Sequence, residues 1–181
     1  MRIIGGTLKG RKFMPPKGFD SRPTTDYARE ALFNILGHQI NLFGADTLDL
    51  FCGTGAMSYE LASREAKSVT AVDKNVLCLK YIKEQAGIYG ANQIKTIRSD
   101  AKTFIARANL KYDLIIADPP FEMAGIPEIV SSILEKPLLK PNGLLVLEHD
   151  NSHDYSTIKG FESSRKYGNV HFSFFTLEHE E

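Results

Sequence analysis

Five short apolar runs recur along the chain: TLDLF at 47–51, SVTAVD at 68–73, IKTIR at 94–98, DLIIAD at 113–118 and GLLVLEH at 143–149. Helix-length segments at 55–66, 75–90, 100–108 and 126–136 separate them. Strand-length runs alternating with helices predict an α/β domain with a mainly parallel sheet. The runs carry no polar face, as expected of strands covered by helices on both sides. Beyond residue 150 the pattern changes to two further candidate strands, around 159–166 and 171–177, without a long helix between them. These are expected to pair antiparallel at one edge, which makes the sheet seven-stranded.

Upstream, Thr24, Thr25 and Asp26 offer helix N-cap chemistry, and Ala28, Leu32, Ile35 and Leu36 recur at helical spacing. An amphipathic helix follows, with Arg29 and Glu30 on its other face. In RIIGGTLKGRKF, two short segments flank Gly5 and Gly6, which reads as a hairpin or a strand with a tight turn. PPKGFDSRP reads as a linker. The expected division is therefore a basic N-terminal hairpin and linker at 1–22 and a main domain at 23–181.

At 181 residues, 43% hydrophobic and 24% charged, the chain suits one domain with a small appendage. Cys52 and Cys78 have no C-x-x-C partner, so neither a disulfide framework nor a zinc site is suggested, and a reducing cytoplasm fits. MRIIGGTLKGRK lacks the apolar region of a signal peptide, and no window approaches the roughly 20 apolar residues of a membrane span. Net charge is zero, but Arg2, Lys9, Arg11, Lys12 and Lys17 share residues 1–18 with no acidic residue. That asymmetry reads as a polyanion contact or as a solvated basic arm.

DLFCGTGAMSYE, 49–60, puts Gly53 and Gly55 where a strand turns into a helix, so the backbone can approach a ligand and the helix N-terminus offers free N–H groups. Ser58 stands where a dinucleotide fingerprint needs Gly or Ala. Asp49, just ahead of the glycines, suits a ligand with a cationic ammonium, as in the methionine part of S-adenosylmethionine. Asp73 closes the second run, where a carboxylate accepts the hydroxyls of a ribose or caps a helix. Asp100 holds the equivalent place after the third, facing an adenine amine or capping a helix.

The fourth run ends in ADPPFE, 117–122. With strand order 3-2-1-4-5, Gly53–Gly55 and Asp118–Phe121 line one crevice. Methylating an amino group requires acceptors for both N–H bonds so that the nitrogen lone pair faces the methyl donor. The Asp118 carboxylate and the Pro119 carbonyl supply them, proline adds no competing N–H, and Phe121 offers a face for a planar base. The plain alternative is a strand end followed by a loop. His149 and His153, in HDNSHD, read as a polar loop and not a metal pair.

These residues resemble the RsmD-type 16S rRNA guanine-N2 methyltransferases over essentially the whole chain: RIIGG at 2–6, KGRK at 9–12, RPTTDYAREALFNIL at 22–36, DLFCGTG at 49–55, DPPF at 118–121 and RKYG at 165–168. The resemblance implies a Rossmann-like, class I S-adenosylmethionine-dependent fold with an N-terminal β-hairpin, acting on 16S rRNA within a partly assembled small subunit. It implies Asp118, Pro119, Pro120 and Phe121 as the catalytic tetrapeptide. Asp49, Phe51, Cys52, Gly53, Thr54, Gly55, Asp73, Lys74, Asp100 and Ala101 fall on cofactor positions, and Arg2, Lys9, Arg11, Lys12, Arg22, Thr24 and Arg29 on the RNA side. Neither a metal nor a membrane is expected. The chain departs from the pattern at Glu65, where such proteins commonly have Gly, and at CGTG in place of Ala-Gly-Ser-Gly. An adenine-N6 methyltransferase shares D-P-P plus an aromatic, a nicotinamide-dependent dehydrogenase leaves DPPF unexplained, and a non-catalytic RNA-binding protein would not need it.

Overall fold

Along β4 (Tyr112–Ala117) Leu114 and Ile116 face one side of the sheet and Ile115 and Ala117 the other, all four fully buried. A strand covered on both faces needs helices on both faces, and the chain supplies them. The computed structural model describes residues 1–15, 24–136 and 138–177. Its other strands are β1 (Asp46–Leu50), β2 (Ser68–Asp73), β3 (Ile94–Arg98), β5 (Leu139–His149), β6 (Phe161–Tyr167) and β7 (Val170–Thr176). The helices are α1 (Asp26–Gln39), α2 (Ala56–Ser63), α3 (Val76–Tyr89), α4 (Ala101–Arg107) and α5 (Ile126–Glu135).

The strands form one seven-stranded sheet in the order β3-β2-β1-β4-β5-β7-β6, parallel from β3 to β5 and antiparallel through β7 and β6. Leu114 and Ile116 pack with Leu32, Phe33 and Leu36 of α1 and Met57 and Leu61 of α2. Ile115 and Ala117 pack with Phe104 and Ile105 of α4 and Ile129, Val130 and Ile133 of α5. The expectation of wholly apolar strands fails at β3, where Lys95, Ile97 and Arg98 are exposed. β3 is an edge strand, and charge there blunts pairing with another chain.

Helix ends follow their sequences. Thr25 caps α1 through the N–H of Ala28 at 3.1 Å, and Asn75 caps α3 through that of Leu77 at 2.9 Å. Past the end of α2, Glu65 holds φ 62°. That left-handed backbone favours glycine, which accounts for the glycine of the resembling proteins at this position.

The N-terminal segment closes as an antiparallel hairpin, Ile3 N–H donating to the Arg11 carbonyl at 2.9 Å and Phe13 N–H to the Met1 carbonyl at 3.1 Å. One antiparallel bridge joins Arg2 and Lys12, and the chain between them makes a broad turn instead of a two-residue one at Gly5 and Gly6. Those glycines serve close contact with α2: a Cβ on Gly6 would stand 1.9 Å from the Ser63 carbonyl oxygen. Ile3 and Phe13 are buried against Tyr59, Leu79 and Ile82. The boundary expected between 22 and 23, with Lys17 and Arg22, lies outside the described residues.

Glu60, fully buried on α2, clips this segment down by accepting from the backbone N–H of Ile4 and, at 3.3 Å, of Gly5. Facing it at 3.6 Å are Nε of Arg29 and of Arg64. Arg29 thereby overturns its expected place on the exposed face of α1, since its side chain is 0% exposed. Positions 29, 33 and 36 lie on the buried stripe of α1, so an arginine at 29 enters the interior and must be compensated there. Its Nη2 donates to Asp26 at 2.9 Å and to the Arg2 carbonyl at 2.6 Å. Glu60→Ala should lower unfolding stability by about 3–5 kcal/mol in urea titrations and accelerate amide exchange at Ile4 and Gly5. An unchanged midpoint would show that the clip carries no stability.

Candidate active site

Parallel pairing of β1 with β4 matches Asp49 to Ile116 and Leu50 to Ala117, and continues one step further as the Asp118 N–H donates to the Leu50 carbonyl at 3.2 Å. Residues 51–55 and 118–121 therefore leave the sheet side by side at its carboxyl edge. This is where the strand order reverses direction, the usual crevice of open α/β sheets. Phe51 turns the chain at φ 71°, a left-handed conformation for a non-glycine, while its N–H and that of Cys52 bond the Val72 carbonyl at 3.0 and 2.9 Å. Gly55, at φ 85°, opens α2, and a Cβ there would stand 2.8 Å from Ile82. Around Gly53, at φ 49°, no heavy atom lies nearer to a would-be Cβ than the Phe51 carbonyl oxygen at 4.0 Å. Gly55 is thus needed for packing, whereas space remains open beside Gly53.

Asp49 is 1% exposed, and its partner is the Ser58 hydroxyl at 2.5 Å. The serine that breaks the dinucleotide fingerprint thus holds this carboxyl. Burial pushes the Asp49 pKa up to about 7, with the Asp73 charge adding and Ser58 opposing. Asp73 accepts from Gly53 N–H at 2.9 Å and Asn75 N–H at 2.8 Å, one on each oxygen. A carboxylate has about four acceptor positions, so two remain for hydroxyl donors. Asp100 is the N-cap of α4, accepting from Thr103 N–H at 2.9 Å, which is the second of the two roles its sequence position allowed. Cys52, Thr54 and Ala101 are buried, Phe51 is half-buried and Lys74 is exposed. Burial, then Asp49 and Asp73, hold the Cys52 thiol protonated.

On the other wall, Pro119 is buried, Pro120 exposed and Phe121 half-buried. The turn bond from Met123 N–H at 2.8 Å occupies the Pro120 carbonyl and not that of Pro119. Asp118 keeps partial exposure to the crevice. Its pKa is raised well above the usual range, by burial first, then by the charges of Glu148 and Asp49, against which Thr24 favours the ionised form.

Glu148 escaped the sequence reading. It is the last acid of GLLVLEH, 3% exposed, and accepts from the Thr24 hydroxyl at 2.7 Å. A charge near the carboxyl end of a central apolar strand was the available signal. Burial pushes its pKa up to about 7, with Thr24 and Arg29 opposing. Asp49, Asp118 and Glu148 thus act on one another across one crevice, where among the described residues the hydroxyls of Ser58 and Thr24 and the charge of Arg29 oppose them.

The expected RNA-side residues divide. Lys9, Arg11 and Lys12 are exposed, with Arg11 5.7 Å over the Tyr89 ring. Arg2, also exposed, reaches Asp26 at 3.3 Å. Arg29 and Thr24 are buried and face inward, which removes them as direct phosphate contacts, and Arg22 lies outside the described residues. His149 corrects the polar-loop reading: it ends β5, buried, with Nε2 2.8 Å from the Ser173 hydroxyl and its ring stacked on His171 at 5.4 Å. Among the described residues no three His, Cys, Asp or Glu side chains are grouped to hold a metal ion.

A family model described as Conserved hypothetical protein 95 matches residues 1–176. The ribosomal RNA small subunit methyltransferase D of Escherichia coli (strain K12) is 30% identical over 158 residues, covering 87% of this chain and 79% of that protein. Among solved structures, a putative methyltransferase, yhhF, from Escherichia coli aligns with TM-score 0.86 at 27% identity over 99% of both chains. Coclaurine N-methyltransferase, bound to N-methylheliamine and SAH, aligns with TM-score 0.57 at 30% identity over 74% of this chain and 40% of that one.

Asp49 titrates at about 7 folded, against an ordinary value of 3.8. Between those values the folded chain keeps a proton that the unfolded chain has released. Its contribution to stability is complete at low pH and is lost as pH rises through about 7. His149, its pKa lowered by burial, opposes this trend, so the comparison is made with a variant that retains it. The ligand-free protein should lose thermal stability relative to Asp49→Asn as pH rises from about 5 to about 8. A relative gain would contradict the assignment.

Proposed function

The chain belongs to the Conserved hypothetical protein 95 family, that of the RsmD-type small-subunit rRNA methyltransferases, and on that premise we propose that it methylates the exocyclic N2 amine of a guanine in 16S rRNA with S-adenosylmethionine. The observation that carries the reading is the junction of β1 and β4. It joins a glycine turn with open space at Gly53 to a DPPF segment, in a crevice where, among the described residues, Arg29 is the cation opposing the buried carboxylates.

That charge deficit suits the proposed cofactor. Asp49 would take the ammonium of S-adenosylmethionine, Asp73 the ribose hydroxyls on its remaining acceptor positions, and Asp100 and Ala101 the adenine end. Phe51, Cys52, Gly53, Thr54, Gly55 and Lys74 would line the path between. When bound, the cofactor supplies an electrophilic methyl group on a sulfonium.

The protein's task is to present the amine. Asp118 and the Pro119 carbonyl accept its two N–H bonds, and Pro120 fixes the turn. Phe121 provides a stacking face, an interaction worth about 1–3 kcal/mol. A base must leave its stack to reach such a pocket. Catalysis then rests on proximity and orientation, with no covalent intermediate. Lys9, Arg11, Lys12 and Arg2 would grip phosphates nearby. No helix of the described residues is long and apolar enough to cross a membrane, and the proposed setting is the cytoplasm, on a partly assembled small subunit.

The direct test is incubation with labelled S-adenosylmethionine and, separately, rRNA, partly assembled small subunits and DNA, followed by identification of the modified nucleoside. N2-methylguanosine supports the proposal, and N6-methyladenine in DNA overturns it. Asp118→Ala should reduce kcat by about a hundredfold or more with cofactor affinity nearly unchanged. A matching loss of cofactor affinity would contradict its role. Replacing Lys9, Arg11 and Lys12 together by Gln should flatten the dependence of log Kd on log salt for RNA by about 2 to 3, as three phosphate contacts predict. An unaltered slope would make the segment structural only.

A further inference from the structure

A single hydroxyl stands between two carboxyls at the ends of neighbouring strands. Ala117 pairs with Leu147 in the parallel β4–β5 register, so Asp118 and Glu148 follow next to each other at the carboxyl edge. Thr24, itself buried, donates to Glu148 at 2.7 Å and also faces Asp118. One hydroxyl carries one proton. It cannot donate to two carboxylates at once, and two ionised carboxyls that face one hydroxyl repel each other.

The described groups around the pair relieve that repulsion only in part. Asp49 on β1 adds a third acid, itself bonded to Ser58. Arg29 on α1 is the cation whose field reaches Glu148, and its guanidinium is already bonded to Asp26, the Arg2 carbonyl and the Thr24 carbonyl. Among the described residues Arg29 is the cation that acts on the pair, and a proton kept on the pair would meet the shortfall.

We propose that Glu148 is a positioning residue for methyl transfer, sharing one proton with Asp118 across Thr24 and so setting when Asp118 is free to accept the amine. This rests on the reading of Asp118 given above. With the proton on Glu148, Asp118 is the carboxylate that takes an N–H of the amine. When the nitrogen lone pair forms the N–C bond and the C–S bond breaks with its electrons left on sulfur, the nitrogen holds one proton in excess. That proton passes to Asp118, and the pair, then neutral, releases one proton to solvent when the crevice reopens. Glu148 touches neither amine nor methyl donor in this scheme.

Two substitutions of nearly unchanged shape separate this from a purely structural role. Glu148→Gln removes a negative charge and keeps an acceptor for Thr24, so Asp118 should ionise more easily. Thr24→Val removes the hydroxyl that favours the ionised forms, so Asp118 should ionise less easily. Carboxyl carbon NMR of the ligand-free protein, with the Asp118 resonance identified by its loss in Asp118→Asn, should show its titration moving down by about one unit in the first variant and up in the second. The acid limb of the kcat–pH profile should follow in the same opposite directions. An unmoved Asp118 titration in Glu148→Gln, or movement of both variants in one direction, would overturn the proposal. Opposite NMR shifts in a protein that methylates no RNA would leave the shared proton standing and remove the reading of the site it serves.

Discussion

Parallel strands cannot be joined by a tight turn, and everything at the crevice follows from that constraint. Each of β1 to β4 returns through a helix, so β1 to β5 all end on the same edge and send a loop out there. Where the order reverses, between β1 and β4, those loops part in opposite directions. The gap is a by-product of the winding, and the glycine turn and the DPPF segment occupy its two sides. The Asp118 N–H to the Leu50 carbonyl extends the ladder one residue beyond the strands and fixes how those sides face each other.

What lines the gap, among the described residues, is more acidic charge than Arg29 offsets. Asp49, Asp118 and Glu148 each have raised pKa values, and in each case burial is the leading cause. A folded chain tolerates this only by holding protons or by acquiring a cation. The acidic crevice contrasts with the exposed Lys9, Arg11 and Lys12 on the N-terminal segment, although the chain as a whole is neutral. Opposite charges are thus partitioned between two regions that a nucleic acid and a cationic cofactor would occupy.

Much of this was legible in the sequence because the strands are short, apolar and regularly spaced. The strands, the helices and the antiparallel edge follow from period and length, and the assumed order 3-2-1-4-5 is the one found, with β7 then β6 beyond it. The misplacing of Arg29 and His149 has one physical origin, in that a charged or polar side chain is expected at the surface. Arg29 and Glu60 are both fully buried and neutralise each other within the interior, which composition and periodicity do not reveal. Glu148 and His149 were hidden likewise, since a polar residue at the end of an apolar run looks like the start of a loop. Gly5 and Gly6 were read for the turn they allow, whereas their reason lies in a helix more than fifty residues away in sequence, a contact no local pattern contains.

The fit of Gly6 against the Ser63 carbonyl gives the N-terminal segment a mechanical character. With no room for any side chain at that point, the segment cannot slide along α2 by one residue without driving a side chain into the helix backbone. Its register is keyed, as a tooth is keyed in a gear. The exposed cations carried on the same segment consequently stand at a fixed distance from the helix that opens at Gly55. A polyanion gripped by them would be measured against the crevice by a ruler made of main chain.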